Sequence, residues 1–419
     1  MQRKSLVIAA IAGLMALSAC GGGTTAGTTT TTGGDTASSS APATVTDVTL
    51  TVWAPQEDQV DDSSWLPVEE AAFAKAHPEY NITWKNSIVS EGDAGTSVKT
   101  DPSAAADVYL FANDQLGTLV DASAVGVLSP DVAEAVKAST SEVMVNSVTG
   151  TDGQIYGVPF TANTWFLYYD KSKVTDEDAK SLDTLLTKGK VAFPLSNGWY
   201  IASFYAGAGG TLFGPNGNDE SAGIDFSGDK ATAVTKYLVN LAKNKNFIND
   251  DNGQGLAGIG KDVVAFFSGS WDAENVKKAL GDNYGAAQPP TFDLDGTATQ
   301  MKAFAGSKAV AYNPNSKNPE AAVAFAGFLG SADAQKAHFE LRGVIPADNS
   351  LASDAAVAAD PVAKAQMDTI QNASILQPTV SKMSVFWDPA KAFGEAIISG
   401  DVTADNAAAK TEAWNKSFK

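Results

Sequence analysis

Between Val48 and Pro55 the chain reads VTLTVWAP, with apolar and polar positions alternating and β-branched residues frequent. A period of two is that of a strand with one buried face, and Pro55, lacking an N–H, ends it. The period changes in SWLPVEEAAFAKAHP (Ser64 to Pro78), where Val68, Ala71, Ala72 and Phe73 recur at helical spacing before Pro78 stops the run. YNITWKNS (Tyr80 to Ser87) returns to a strand. ADVYLFAND (Ala106 to Asp114) is apolar through its middle, which predicts a strand buried on both faces. Strand, helix and strand with short connections predict an α/β sheet with helices on both sides.

The rhythm recurs down the chain. GQIYGVPFTANTWFLYYDKS predicts strands around Tyr156–Phe160 and Trp165–Tyr169, and KVAFPL another. WYIASFYAGAGG predicts a helix closing on glycines, and KATAVTKYLVNLAKNK an amphipathic helix. VVAFFSGSW and AFAGSKAVAYNP predict strands running into turns, and EAAVAFAGFLGSADAQKAHFELRG a pair of helices. No repeat is visible, and no long linker divides the chain after residue 47. In SVFWDPAKAFGEAI (Ser384 to Ile397), Asp388 is the expected N-cap, Pro389 the first helical residue, and Phe393 with Ile397 the buried stripe. Two features there exceed what folding asks. Lys391 would sit in the first turn, where the helix dipole prefers an acid, and Trp387 stands at the helix mouth.

The N-terminus has a different pattern. MQRKSLVIAAIAGLMALSAC carries Arg3 and Lys4, then an apolar run from Leu6 to Leu17, then small residues: a secretory signal, too short to span a bilayer as a mature helix. LSAC (Leu17 to Cys20) resembles a bacterial lipobox, which implies cleavage after residue 19 and acylation of Cys20; the plainer alternative is a signal peptide with a stray cysteine. Residues 21–43 are rich in Gly, Thr and Ser with no periodicity, so residues 20–46 are expected to form a flexible, disordered tether.

Composition narrows the chemistry. The 419 residues are 44% hydrophobic, enough for a sizeable core, and carry a formal net charge of -19. That balance argues against a nucleic-acid or anionic-membrane partner, which needs a basic footprint. With two histidines, His77 and His338, and one cysteine, a zinc site of His and Cys, an internal disulfide and a cysteine nucleophile are all disfavoured. DDNGQGLAGIGK (Asp251 to Lys261) fails as a calcium loop, because Gln254 and Lys261 fall at ligand positions. GLAGIG has the wrong spacing for a dinucleotide fingerprint, and no nucleophile elbow or P-loop is present. No metal or cofactor is expected. His77, before Pro78, reads as a surface cap; His338 reads as structural or solvated.

What remains is a set of aromatics at element ends. Trp199 and Tyr200 follow FPLSNG, Trp271 follows FFSGS, and Trp387 lies between Phe386 and Asp388. An aromatic face covers the apolar face of a sugar ring, while neighbouring amides and acids bond its hydroxyls. Against this, Trp53 and Trp84, within strands, read as core. Trp165 reads as core or hinge packing, and Glu57 and Asp58 alone would be a solvated loop.

The blocks LTVWAP, ADVYLFANDQLG, YGVPFTANTWFLYYDK, FPLSNGWY…GAGG, FFSGSW and MSVFWDPAKAFGEAI, in that order after a lipobox and tether, resemble the extracellular solute-binding proteins of ABC importers, specifically the maltose/maltodextrin-binding group. The resemblance covers essentially everything after residue 47. It implies an α/β, two-lobed periplasmic-binding-protein-like fold (type II) with the ligand cleft between the lobes. The first lobe would be 47–161 plus 308–343 and the second 165–302 plus 349–419, crossing near Thr161–Thr164 and Met301–Ser307. It further implies sugar stacking on Trp199 or Tyr200, Trp271 and Trp387. Hydrogen bonds would come from Gln56, Glu57, Asp58, Asn113 and Asp114, with Asn163 and Asn197 as further polar candidates, and Asp388 and Lys391 aimed at the ligand or at each other. The sequence departs from the group's pattern at Gln115, where an arginine is frequent, at Asn163 and Asn197, where acids are frequent, and at Asp388, where an aromatic is. The implied protein is a monomeric, non-enzymatic lipoprotein on the outer face of a bacterial membrane. It would capture maltodextrin-type oligosaccharides by hinge closure and deliver them to a membrane permease. The alternatives are a secreted glycoside hydrolase using two of the many carboxylates, and a binding protein for a different sugar.

Overall fold

The computed structural model describes residues 45–214 and 217–418; the signal, Cys20 and tether expected from the sequence lie outside them. Strand β1 (Thr46–Ala54) alternates exposed and buried positions as its sequence predicts. Helix α1 (Trp65–Ala76) buries Trp65, Leu66 and Phe73 and gives way to strand β2 (Tyr80–Ile88). Strand β3 (Val108–Ala112) is buried at all five positions. Strands β4 (Val158–Asn163), β5 (Phe166–Asp170) and β6 (Lys190–Phe193) follow, then helix α2 (Gly198–Gly207), capped by Asn197, whose side chain accepts from Trp199 N–H at 2.9 Å. Next come α3 (Gly228–Ala242), β7 (Phe247–Asn249), β8 (Val263–Ser268), β9 (Tyr284–Ala287) and the long β10 (Ala303–Tyr312). Helices α4 (Pro319–Leu329) and α5 (Ala332–Arg342), strand β11 (Ser374–Leu376), and helices α6 (Ser384–Ser399) and α7 (Ala407–Lys416) complete the elements that position the site.

These strands form two separate mixed sheets. One runs β11–β10–β3–β1–β2, with β4 also paired to β10; the other runs β9–β5–β8–β6–β7. Within the first, β1 is parallel to β2 and β3, while β10 is antiparallel to β3 and β4. Each sheet has its own packed core: Leu50, Val108, Phe325 and Leu329 belong to the first, and Leu167, Val191, Phe204 and Phe267 to the second. The chain therefore passes between the sheets. Only Thr164 and Trp165 separate β4 from β5, and the Thr164 hydroxyl donates to Phe304 C=O at 2.8 Å, tying one passage to another. Of Met301–Ser307, expected as a crossing segment, residues 303–307 form the first half of β10 and pair with β11 and β4.

One local expectation is overturned. Helix α6 begins at Ser384, so Asp388 is not its N-cap and Pro389 lies inside it. A short 3-10 turn, Ser381–Met383, delivers the chain already in helical backbone, with Met383 at φ -57 and ψ -24. Proline's fixed φ suits a helix, and the ladder bond it forgoes is to Val385 C=O, on an exposed residue near the helix start. Lys391 consequently stands two turns in and pairs with Glu395 one turn further on, so the conflict with the helix dipole disappears.

Candidate functional site

A cleft of about 610 Å3 lies between groups carried by the two sheets. From the first come Glu57, Asp58, Glu91, Asn163 and Lys308; from the second come Trp271, Glu274, Lys277 and Tyr284. Trp271 follows β8 in a short turn and is 53% exposed, a large apolar face kept in water. Gly269 permits this placement, because a Cβ there would overlap the Trp271 ring, 2.0 Å from Cζ3. The ring meets Trp199 at a centroid separation of 6.0 Å and 32°. Tyr200, the alternative to Trp199, turns inward instead: it is buried, stacks on Trp165 at 5.0 Å, and has its phenol pKa pushed up by burial.

The acids and amides meet different fates. Gln56, Glu57 and Asp58 form one 3-10 turn after Pro55. Gln56 is exposed, and Glu57 lies 3.8 Å from the Arg342 guanidinium. Asp58, read from sequence alone as part of a solvated loop, is buried, and its Oδ1 accepts from His338 Nε2 at 3.0 Å and Arg342 Nε at 3.1 Å. Burial alone would raise the Asp58 pKa, but the His338 bond and the charges of His338 and Arg342 outweigh it and hold the carboxyl below its ordinary value. His338 is itself buried, stacked on Trp65 at 4.0 Å and 7°.

Asn113 is fully buried against Gly306 and donates to Gln377 C=O at 3.3 Å. Asp114 is half-buried; burial raises its pKa, partly offset by a 3.2 Å bond from Gln115, the residue standing where an arginine is frequent. Gln377 also accepts from Trp199 Nε1 at 2.8 Å, so one glutamine fastens the Asn113 turn to the Trp199 indole. Asn197, Trp387, Asp388 and Lys391 line a neighbouring groove of about 620 Å3 rather than the cleft itself.

Several site groups escaped the sequence reading. Lys308 interrupts the apolar strand β10 and pairs with buried Glu91 at 3.1 Å in the cleft. A lysine inside AFAGSKAVAY was a visible signal, because an unpaired charge does not survive in a buried strand. Gln377, Arg342 and Glu274 carried no such mark.

Residues 71–365 match the model of the family described as bacterial extracellular solute-binding protein. The chain belongs to that family. Among curated solute-binding proteins, the maltooligosaccharide ABC transporter solute-binding lipoprotein of Streptococcus pneumoniae R6 is 29% identical over 370 residues, 83% of this chain and 85% of the relative. The galactooligosaccharide-binding protein of Bacillus subtilis 168 is 26% identical over 387 residues, 86% and 87% of the two chains. Among solved structures, one with acarbose shares 51% identity with a TM-score of 0.83, covering 89% of this chain and 98% of the other. The maltodextrin-binding protein MalE1 of L. casei BL23, without ligand, shares 30% with a TM-score of 0.82, covering 89% and 99%. The two-lobed fold expected from the sequence is that of this solute-binding family.

Proposed function

We propose that this protein is the capture component of an ABC importer for maltodextrin-type oligosaccharides. The observation that carries the reading is exposed Trp271, backed by half-buried Trp199, at a cleft rimmed by Glu57, Asn163, Glu91 and Lys308. It offers an apolar wall for sugar rings with polar groups placed for hydroxyls. The lobes are 47–161 plus 308–343 and 165–302 plus 349–419, with crossings near Thr161–Thr164 and Met301–Ser307. Gln56, Glu57, Asn163, Trp199 and Trp271 contact ligand. Asn113, Asp114 and Asp58 shape the wall around it, and Asn197, Trp387, Asp388 and Lys391 flank its end. Sugar bridging the lobes favours the closed form through contacts made to both at once. No covalent step is required. The names of the relatives support both the sugar and the importer. Acylated Cys20 would hold the monomer at the outer face of the membrane, beside its permease.

The B. subtilis galactooligosaccharide relative sustains a second reading, the same device tuned to another sugar. Titration calorimetry against maltose, maltotriose, maltotetraose and unrelated disaccharides decides between them. Saturable micromolar binding, about -8 kcal/mol, is expected for the α-glucans and not for the others. Silence from every α-glucan overturns the maltodextrin reading. Sustained product release from labelled maltooligosaccharides would identify a hydrolase instead.

A further inference from the structure

Helix α5 buries a glutamine, Gln335, which is 2% exposed and no part of the cleft wall. Its amide spends every bond it has to make. Oε1 accepts from the backbone N–H groups of Ala347 at 2.8 Å and Asp348 at 2.9 Å. Nε2 donates to Gly330 C=O at 2.7 Å and to Pro159 C=O at 3.2 Å. Two N–H groups face the oxygen and two carbonyls face the nitrogen, so the orientation of the amide is forced. Glutamate has no second donor to offer and methionine has neither group.

The bonded groups belong to separate stretches of chain. Pro159 lies in β4, two residues before the crossing at Thr161–Thr164. Ala347 and Asp348 lie in 344–348, the stretch left between the ranges 308–343 and 349–419 of the two lobes. Beside the glutamine the same two stretches are laced again: the Thr161 hydroxyl donates to Ile345 C=O, and Ala347 N–H is shared with Phe160 C=O at 3.1 Å. Thr164 continues the lacing to Phe304 C=O, on the remaining crossing. Thr161, Thr164, Ile345 and Asp348 are buried, so breaking these bonds orphans polar groups away from water. The helix that carries the glutamine also reaches the cleft. His338 and Arg342, three and seven residues on, hold Asp58 of the cleft turn.

We propose that Gln335 is a positioning residue for capture: it binds 158–164 and 344–348 into one hinge, so that the lobes close on ligand along a single path. The proposal deepens the capture reading above and rests on it. Without the pin each crossing flexes separately, fewer free molecules are poised to close, and apparent affinity falls by that fraction. The test compares wild type, Gln335→Met and Gln335→Glu as full chains kept soluble in mild detergent. Gln335→Met removes all four bonds. Gln335→Glu keeps the acceptors for Ala347 and Asp348 but turns oxygen toward the Pro159 and Gly330 carbonyls, and it decides alone if the methionine variant does not fold.

Titration calorimetry with maltose, maltotriose and maltotetraose should show affinity weakened about five- to tenfold, by the same factor for each sugar, since a closure penalty is common to all lengths. Hydrogen exchange of the free protein should show protection falling together in 158–164 and 344–348. A lower melting temperature with affinities within about twofold of wild type overturns the proposal, because the glutamine then serves stability alone. A loss confined to one sugar also overturns it, since it would act through sugar contacts. Failure of wild type to bind any of these sugars removes the sugar reading, and exchange alone then decides the hinge: joint loss of protection supports the pin, and loss confined to Ala347 and Asp348 overturns it.

Discussion

Trp271 and Trp165 carry the same indole into opposite environments, one 53% exposed in the cleft and the other fully buried against Tyr200, Phe193 and Phe267. Trp271→Ala should leave stability within about 0.5 kcal/mol while weakening oligosaccharide binding about tenfold or more, as calorimetry and a melting curve would show together. Trp165→Ala should cost about 3–5 kcal/mol of stability. The buried acids give two pH signatures of opposite sign. The folded-state pKa of Asp58 lies below its ordinary value, so its contribution is complete above the unfolded pKa of about 3.9 and is lost as pH falls through the lower folded value. Asp58→Asn keeps an acceptor oxygen but removes the negative charge that faces Arg342 and His338, and should cost about 3 kcal/mol near neutrality, with a flatter acid limb in denaturant titrations below about pH 4. Glu70 is the reverse case. Burial, only partly offset by Asn86, pushes its carboxyl to about 7, and its Oε1 has no partner. Its stabilising term is fully present below the unfolded pKa of about 4.3 and fades as pH rises through 7, so Glu70→Gln should out-stabilise the wild type by about 2–3 kcal/mol at pH 8, and this advantage should vanish near pH 4.

Secondary-structure elements here are placed by bare backbone as much as by apolar stripes. Gly394 lies in the middle of α6, where alanine would ordinarily gain about 1 kcal/mol in helix propensity. At this position a Cβ meets Leu195 O at 2.3 Å and Ser196 Cα at 2.8 Å, both main-chain atoms with no rotamer to yield. Gly394→Ala is therefore expected to destabilise by about 1–3 kcal/mol and to shift Trp387, lowering affinity as well; a stabilised variant would refute the close approach. The start of the same helix shows the limit of local signals. Asp388 followed by Pro389 has the form of an N-cap and first residue, and it was overridden because Met383 enters already helical and Phe386 gains a buried place against Phe226 and Phe304.

For the whole molecule, function rests on two sheets joined by short passages, of which Thr164 to Phe304 is one pinned point. A ligand that binds only the folded, closed form should add about 2.7 kcal/mol of stability at a hundredfold excess over Kd and reduce the radius of gyration in solution scattering. Stabilisation without contraction would mean capture without hinge closure. Strand and helix positions were legible from the chain because a period of two or 3.6 is a local property, as β1, β3 and α1 show. The aromatic residues at element ends were legible for the same reason. Local pattern could not say that Tyr200 would turn into the core while Trp199 stayed half-buried against Trp271, or that Asp58 would be spent on a histidine 280 residues away. Nor could it place Gln377 between Asn113 and Trp199, or separate Trp387 and Lys391 from Trp271 into an adjoining groove. Those outcomes depend on which distant groups compete for the same buried acceptor or apolar surface, and that competition exists only once the two lobes have packed.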